Sequence, residues 1–290
     1  MTHLCPTSND IVRVDTYARI ALYALSSVTS IFGRDVAAEG ALRVVTTAWD
    51  QLSPEARPSL VEFAKNHFTT LWMVTDERHQ GLPPGCVSFR SHPRFRFDAP
   101  LYGDTYGDTG ARQQYIIDAP IPAGYQAIPS TLFSPYAGQN PRRNVAIRSR
   151  VNPIPILFFV QGGSRDGCLG IPVDKDDNGG VGVLNGLHKL QLLESRSSLK
   201  IKFDWPHYER SDGLDRQIRR ALNPAENNLQ RLAMLVAGAV RNYMADNRKV
   251  RKNDSTLPQY WTIGERPGEI NIRDVLLLGV IRTDFGPRTF

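Results

Sequence analysis

The sequence has few cysteines and no long hydrophobic run. Three cysteines in 290 residues, far apart and odd in number, support neither a disulfide framework nor a zinc site. We therefore expect free, buried thiols at Cys5, Cys86 and Cys168, in a reducing compartment. No stretch of about 18 apolar residues occurs, so we expect no transmembrane helix and no membrane partner. The first residues lack a charged segment followed by an apolar one, which argues against a signal peptide.

The sequence also lacks the common motifs of catalysis. It contains no phosphate-binding Gly-Lys-Ser/Thr loop and no nucleophile elbow. Its six histidines are not spaced with one another, or with cysteine, as metal ligands require. We expect no cofactor and no enzymatic activity. An enzyme with an unrecognised site stays open, because paired carboxylates could come from Asp98, Asp104, Asp108 and Asp118.

Charge and proline are what the sequence has in excess. The formal net charge is +6 and the sequence pI is about 9.3, a balance that favours anionic partners or surfaces. The sequence contains 20 prolines, most of them between residues 83 and 172, which indicates a loop-rich middle.

Helical periodicity marks both ends of the chain. Apolar residues recur every three or four positions over residues 10–32, with Gly33 as the stop signal, and again over 35–50. A third helix is expected to start at Ser53-Pro54 and to run to Trp72. Near the other end, Asn223-Pro224 opens a predicted helix over 225–245. Its buried side is expected to carry Leu229, Val236 and Tyr243.

Strand patterns fill the region between the predicted helices. The apolar run 154–160 is bounded by Pro and Gly and predicts a buried core strand. The tail 270–281 predicts either a strand or a short helix. Shorter runs predict further strands at residues 87–90, 94–97, 115–117, 145–147 and 199–203.

These patterns predict an α+β protein in which helical N-terminal and C-terminal segments flank a β-rich, sandwich or barrel-like centre. The predicted boundaries are 1–80 for the N-terminal helical segment and 81–210 for the β-rich domain. Residues 211–290 form the C-terminal helical segment with its terminal arm. We expect the two helical segments to pack together. Helices long enough for parallel crossovers are missing between residues 83 and 185.

Two loop motifs are candidates for ligand binding. Asp174, Asp176 and Asn178, followed by a glycine, match the opening of a calcium loop, but Asn185 stands where a bidentate glutamate is expected. A solvated turn between two strands is the favoured interpretation. The repeated Gly-Asp-Thr of residues 103–110 could be a metal or sugar loop, and a flexible surface loop is favoured.

Basic clusters are the candidates for binding nucleic acid or an acidic protein. The arginine fork suits phosphate and carboxylate equally. Phe89, Phe95 and Phe97 lie near the first cluster and could form a stacking surface for single-stranded nucleic acid. For this cluster we favour the interpretation that residues alternate along a strand, with the arginines facing water. The clusters comprise Arg90, Arg94 and Arg96; Arg142 and Arg143 with Arg148 and Arg150; Arg216, Arg219 and Arg220; and Arg248, Lys249, Arg251 and Lys252.

The order of segments over the whole chain is helices, a β-rich insertion, helices and a C-terminal arm. It resembles that of shell and clamp capsid proteins of double-stranded RNA viruses. Because the resemblance rests on no shared motif, it assigns a function to no residue of this chain. It implies a structural capsid subunit in the virion or host cytoplasm, whose partners are other capsid or assembly subunits in a homo- or hetero-oligomer. The alternative is an RNA-binding nucleoprotein.

Overall fold

The structure is a computed structural model that describes residues 26–70, 85–91, 101–107, 110–130, 155–174, 182–194, 197–206, 208, 216–248 and 261–281. Within these ranges the protein is α+β, as predicted, with helices and small antiparallel sheets. The chain forms two compact units. The first comprises residues 1–121, 132–156 and 280–290, and the second comprises 122–131 and 157–279. The three-segment division made from the sequence stays a prediction.

Two of the predicted N-terminal helices are confirmed where the structure describes them. Helix α1 (Ser27–Phe32) is capped by the Ser26 hydroxyl, which accepts a hydrogen bond from the Thr29 amide at 3.1 Å. It ends at Gly33, whose φ of +88° few other residues adopt. Helix α2 follows directly over Arg34–Asp50. The part of the first predicted helix before residue 26 lies outside the described residues.

The predicted start of the third helix is wrong. Pro54 opens only a short 3-10 helix, Pro54–Ala56. Helix α3 (Leu60–His67) begins later, because the Ser59 hydroxyl accepts from the Glu62 amide at 3.2 Å and so caps a new start. Strand β1 then follows α3 at once, so the helix ends before Trp72, which lies outside the described ranges.

The first unit contains a four-stranded antiparallel sheet. Its strands are β1 (Phe68–Thr70), β2 (Val87–Ser91), β3 (Leu101–Gly107) and β4 (Gly110–Asp118), in the order β1-β2-β4-β3. The strands predicted at 87–90 and 115–117 are thereby confirmed. The repeated Gly-Asp-Thr motif was expected to be a flexible loop. Its described residues, 103–107 and 110, instead lie in paired strands, with Gly107 opposite Gly110, and residues 108 and 109 lie outside the described ranges.

Helices α2 and α3 form one core with this sheet. Phe89 pairs in register with Phe68 on one side and Tyr115 on the other, and all three rings are buried with apolar side chains of the two helices. Burial of each such ring contributes about 1.5–3 kcal/mol. The strands predicted at 94–97 and 145–147 lie outside the described residues.

The remaining strands are shorter and paired two by two. Those within residues 157–279 belong to the second unit, whereas the strands Pro155–Leu157 and Gly279–Ile281 each have two of their three residues in the first. The run 154–160 is core, as predicted, with residues 156–160 all buried. The prediction of one continuous strand is wrong, since Phe158 and Phe159 separate two short strands. These are β5 (Pro155–Leu157) and β6 (Val160–Gln161). The later strands in chain order are β7 (Ile171–Pro172), β8 (Gly182–Val183), β9 (Ser198–Ile201), β10 (Arg216–Arg219), β11 (Leu276–Leu277) and β12 (Gly279–Ile281).

These strands form two-stranded sheets β5-β12, β6-β8, β7-β11 and β9-β10. The last three sheets are antiparallel. The tail predicted over 270–281 therefore contains both alternatives, a 3-10 helix at Ile272–Asp274 followed by β11 and β12. The strand predicted over 199–203 is confirmed as β9, which starts one residue earlier and ends two residues earlier than predicted.

The longest described helix of the second unit is α5 (Leu229–Asn247). A short helix, α4 (Gln191–Glu194), precedes it in the chain. The predicted buried side of α5 is confirmed, because Leu229, Val236 and Tyr243 are all buried. Its predicted start was too early. Pro224 opens a 3-10 helix, Pro224–Glu226, and α5 begins after Asn228, whose side chain accepts from the Arg231 amide at 2.9 Å.

The second core lies on the C-terminal half of α5. Val240, Tyr243 and Met244 pack there with Trp205, Tyr208, Ile263 and Val275. Two hydrogen bonds fix the aromatic side chains: the Trp205 indole N–H donates to the Trp261 carbonyl at 2.7 Å, and the Tyr208 hydroxyl accepts from the Ile263 amide at 2.8 Å. The indole N–H of Trp205 and the hydroxyl of Tyr208 therefore each have a hydrogen-bond partner, as buried polar groups of aromatic side chains usually do.

Candidate functional site

The predicted basic clusters are only partly described by the structure. Arg90 lies in β2 and is half-buried. Arg248 follows α5, where its backbone N–H donates to the Met244 carbonyl at 2.9 Å and its guanidinium to Glu265 at 3.2 Å. These contacts place Arg248 at a helix end, where a cation complements the macrodipole. Arg216 and Arg219 lie in β10, and Arg220 follows it. The other residues of the predicted clusters lie outside the described residues: Arg94, Arg96, Arg142, Arg143, Arg148, Arg150, Lys249, Arg251 and Lys252.

The hypothesis of a stacking surface at Phe89 is wrong. Its ring is completely buried, with its centroid 4.9 Å from that of Phe68 and 5.7 Å from that of His67. His67 is itself stacked on Phe63 at 4.0 Å and contacts the Arg90 carbonyl through Nδ1. The alternation of Val87-Ser88-Phe89-Arg90 therefore reflects a core strand rather than an aromatic binding surface.

The structure describes one of the three proposed metal ligands. Asp174 is exposed and follows β7, whereas Asp176 and Asn178 lie outside the described residues. No group of three or more His, Cys, Asp or Glu side chains in the described ranges is placed to hold a metal ion. The calcium site stays a prediction.

The strongest candidate surface surrounds the start of α5. We call it the leucine platform and define it as residues 183–190 and 221–230. It displays Leu187, which is 85% exposed, and Leu222, which is 102% exposed. Scattered apolar residues on a surface are ordinary, but a leucine with almost its whole side chain in water is unusual among the described residues. Among the residues whose burial the structure describes, Tyr125, at 43%, is the other large exposed apolar side chain.

The turn that carries Leu187 is held by the backbone of the helix start. The Gln230 amide donates to the Gly186 carbonyl at 2.9 Å, and the Leu229 amide donates to the His188 carbonyl at 3.0 Å. The residues on both sides of Leu187 are thus attached to the first turn of α5. Because the amides of a first helical turn have no partner within the helix, this arrangement satisfies donors that would otherwise need water.

Gly186 is required by the closeness of this packing. A Cβ atom at this position would lie 2.7 Å from the Val183 carbonyl oxygen and 2.9 Å from the Gln230 side-chain oxygen. That same Gln230 oxygen accepts a hydrogen bond from the Val183 amide at 2.6 Å. Asn185 beside it has a φ of +58°, in the left-handed region that asparagine tolerates better than most residues. The turn therefore has a specific, tightly packed conformation.

The segment that carries Leu222 is held by a buried asparagine. The Asn227 side chain, 1% exposed, accepts from the Ala221 amide at 2.9 Å and donates to the Ala221 carbonyl at 3.3 Å. The Asn227 carbonyl in turn accepts from the Leu190 amide at 3.1 Å. Both leucines are therefore fixed to the same short segment, 227–230. A rigid display of exposed apolar side chains suits contact with another surface, since little ordering entropy is lost on binding.

Sequence patterns did not identify the leucine platform. Leu187 and Leu222 are not part of any apolar period, and a lone leucine between turn residues is usually semi-buried. The detectable signals were the turn formers around them, Asn185-Gly186 and Asn223-Pro224. These predict turns and carry no information about which side chain faces water.

A second polar cluster, at Asp118, is structural. This buried carboxylate at the end of β4 accepts from the hydroxyls of Ser26 and Ser27, and from the amides of Val28 (3.2 Å) and Ala119 (2.8 Å). Burial raises its pKa, and the hydrogen bonds offset this only in part. Asp118 thereby fixes the start of α1 to the end of β4.

The described cysteines do not indicate a nucleophile. Cys86 is buried, and burial raises the pKa of its thiol, with a further increase from the charge of Asp118. A thiol in this environment stays protonated and unreactive. The prediction of a free buried thiol is confirmed for Cys86 and wrong for Cys168, which is exposed. Cys5 lies outside the described residues.

In the ranges that the structure describes, no helix combines the length and the apolar character needed to cross a bilayer. Comparison with known proteins found no matching family model, no similar curated protein and no similar solved structure.

Proposed function

We propose that this chain is a structural assembly protein, of the capsid or clamp-like kind, that acts through protein–protein contacts. The observation that supports this proposal is the leucine platform. Leu187 and Leu222 are exposed at 85% and 102%, yet the backbone beside each is fixed by hydrogen bonds to residues 227–230. Exposed apolar side chains on a rigid support favour association, because burying them against a partner removes apolar surface from water and little ordering entropy is lost.

Burial of these two side chains contributes enough free energy to change the affinity of an interface measurably. Complete burial of a leucine contributes about 1.5–3 kcal/mol, so the pair contributes about 3–6 kcal/mol to an interface. Because 1.4 kcal/mol corresponds to a factor of ten in Kd, removing both should weaken association by about 10²–10⁴-fold. Neither side chain stabilises the isolated chain by burial, since both are already in water.

The proposal extends to architecture, partners and location. We propose a sandwich or barrel-like β-rich centre flanked by helices, assembly with further copies of this chain, and a location in the virion or host cytoplasm. The mechanism is passive, with apolar side chains buried between subunits and no bond made or broken.

Native mass spectrometry of the purified chain at micromolar concentration tests this proposal. We expect oligomers for the unchanged chain and monomers for the double variant Leu187→Ser, Leu222→Ser. The matched control is Tyr125→Ser, which removes a partly exposed apolar side chain outside the platform and should leave the oligomer intact. Urea unfolding should show that the double variant folds as stably as the parent.

Two results would contradict the proposal. The first is a parent chain that stays monomeric at these concentrations, with no assembly induced by a partner. The second is an oligomer whose distribution the double variant leaves unchanged, because the platform would then lie outside the interface.

A further inference from the structure

The leucine platform is surrounded by positive charge. Residues 183–190 and 219–231 contain four cations and a single anion, with histidine counted as neutral. The anion, Glu226, is paired with Arg231 at 3.8 Å, which leaves the other three cations in excess. These three are all exposed, and we call them the basic rim: Lys189, Arg219 and Arg220.

The basic rim lies beside both exposed leucines. Lys189, two residues after Leu187, pairs with Asn228 in an antiparallel bridge. Asn227, the neighbour of Asn228, holds the segment that carries Leu222, so the lysine lies between the points that fix the two leucines. The other two members of the rim precede Leu222 by two and three residues. A partner that buries these leucines therefore brings its own charges close to three cations.

The charges of the basic rim are not compensated by acids of the described part of the chain. Lys189 and Arg219 form no ion pair there, and Arg220 donates to the backbone carbonyl of Glu194 at 2.9 Å. If two platforms met about a twofold axis, the same cations would face each other across the contact. Like charges placed opposite each other disfavour association. The platform therefore suits an acidic surface better than a second platform.

The turn that follows α2 offers such a surface. We call residues 50–62 the acidic segment, because they contain three acids and one base. Asp50 lies 4.0 Å from Arg57, whereas Glu55 and Glu62 are exposed and form no ion pair with a described residue. The residues on both sides of Glu55, a proline and an alanine, are exposed as well, so apolar surface lies beside the carboxylates.

We propose that the leucine platform of one copy docks on the acidic segment of a second copy, a contact that presupposes the assembly function above. The basic rim then lies opposite Glu55 and Glu62. Because the two patches differ, each copy binds one neighbour through its platform and another through its acidic segment. Assembly continues beyond a dimer into a ring or filament, whereas contact between two platforms would end at two copies.

Paired charge reversals, followed by sedimentation velocity at 0.1 M salt, test this contact. The rim variant is Lys189→Glu, Arg219→Glu, and the segment variant is Glu55→Lys, Glu62→Lys. Each variant alone should associate roughly 10²-fold more weakly than the parent, because like charges then meet across the contact. At 1 M salt, where the Debye length is about 3 Å, the loss should shrink to within about tenfold.

An equimolar mixture of the two variants should assemble again. Every contact between unlike variants joins opposite charges, so native mass spectrometry should find particles in which the two variants alternate. The matched control is Arg266→Glu, Arg273→Glu, which reverses two exposed arginines of the same unit as the platform and should leave assembly unchanged. Urea unfolding checks that each variant is folded.

Several outcomes would overturn the proposed contact while leaving the assembly function in place. They are a segment variant that assembles like the parent, two variants that do not assemble together, a control that loses as much as the rim variant, and a parent that stops at a dimer. A parent that stays monomeric, or an oligomer indifferent to the loss of both platform leucines, refutes the assembly function itself and this contact with it.

Discussion

The rigidity of the leucine platform depends on Asn227, and replacing it with alanine tests that dependence. In the structure its buried side chain makes two hydrogen bonds to the backbone of Ala221, at 2.9 and 3.3 Å. The substitution Asn227→Ala removes the side-chain oxygen and nitrogen that make these two bonds, and so leaves the Ala221 amide and carbonyl unsatisfied. Ala221 is itself buried, with only 7% of its surface exposed, so water replaces the lost hydrogen bonds poorly.

The expected loss of stability follows from these two groups. An unsatisfied buried backbone donor or acceptor costs about 1–3 kcal/mol. With two such groups, we expect Asn227→Ala to lower the free energy of unfolding by about 2–6 kcal/mol, measured by urea unfolding. Hydrogen exchange, followed by mass spectrometry, should become faster in the peptide that contains Ala221 and Leu222.

Asn223→Ala is the matched control. The Asn223 side chain accepts from the Ala225 amide at 3.1 Å, but it is exposed, so water can replace the bond. Its loss should cost about 0.5–1 kcal/mol, the lower part of the range for a helix cap. If Asn227→Ala costs no more than this control, Asn227 does not hold the segment and the reasoning about a rigid platform fails.

Two further predictions concern other close contacts. Gly186→Ala should destabilise the chain by about 1–3 kcal/mol in urea unfolding, because the new methyl group meets the Val183 carbonyl oxygen at 2.7 Å. An unchanged midpoint would show that the turn can relax. Asp118→Asn tests the buried carboxylate. Burial raises the pKa of Asp118 above its ordinary value of 3.8, so its contribution to stability is present below that pH and is lost as the pH rises through the folded-state pKa. The unfolding free energy of the parent, minus that of Asp118→Asn, should therefore decrease with rising pH, and an increase would contradict the assigned direction.

Much of the local structure could be predicted because periodicity reports burial. The apolar stripe of α5 and the stop at Gly33 were read correctly, and so was the core character of residues 156–160. Element starts were predicted less well. Ser53-Pro54 and Asn223-Pro224 each carry a strong start signal, yet each opens only a 3-10 turn. In both cases a second cap, at Ser59 or Asn228, starts the α-helix, since several local signals compete and tertiary packing selects among them.

The candidate surfaces were predicted least well. A stacking role for Phe89 was compatible with its alternation beside Arg90, but the same alternation also marks a core strand. Which face of a strand is buried depends on what packs against it. That Lys200 and Arg219 share a face of the β9-β10 ribbon likewise needed the register, which a short strand does not specify by its sequence.

By itself, the sequence determined the class of this protein, the approximate positions of the longer described helices and of some strands, such as β2, β4 and β9, and the buried side of α5. It could do so because helix and strand periods are properties of consecutive residues. Only the tertiary structure decided that Leu187 and Leu222 are left in water, that Asn227 fixes the segment between them, and that Lys200 and Arg219 share a face. These relations join residues far apart in sequence, and exposure is set by what the rest of the chain covers.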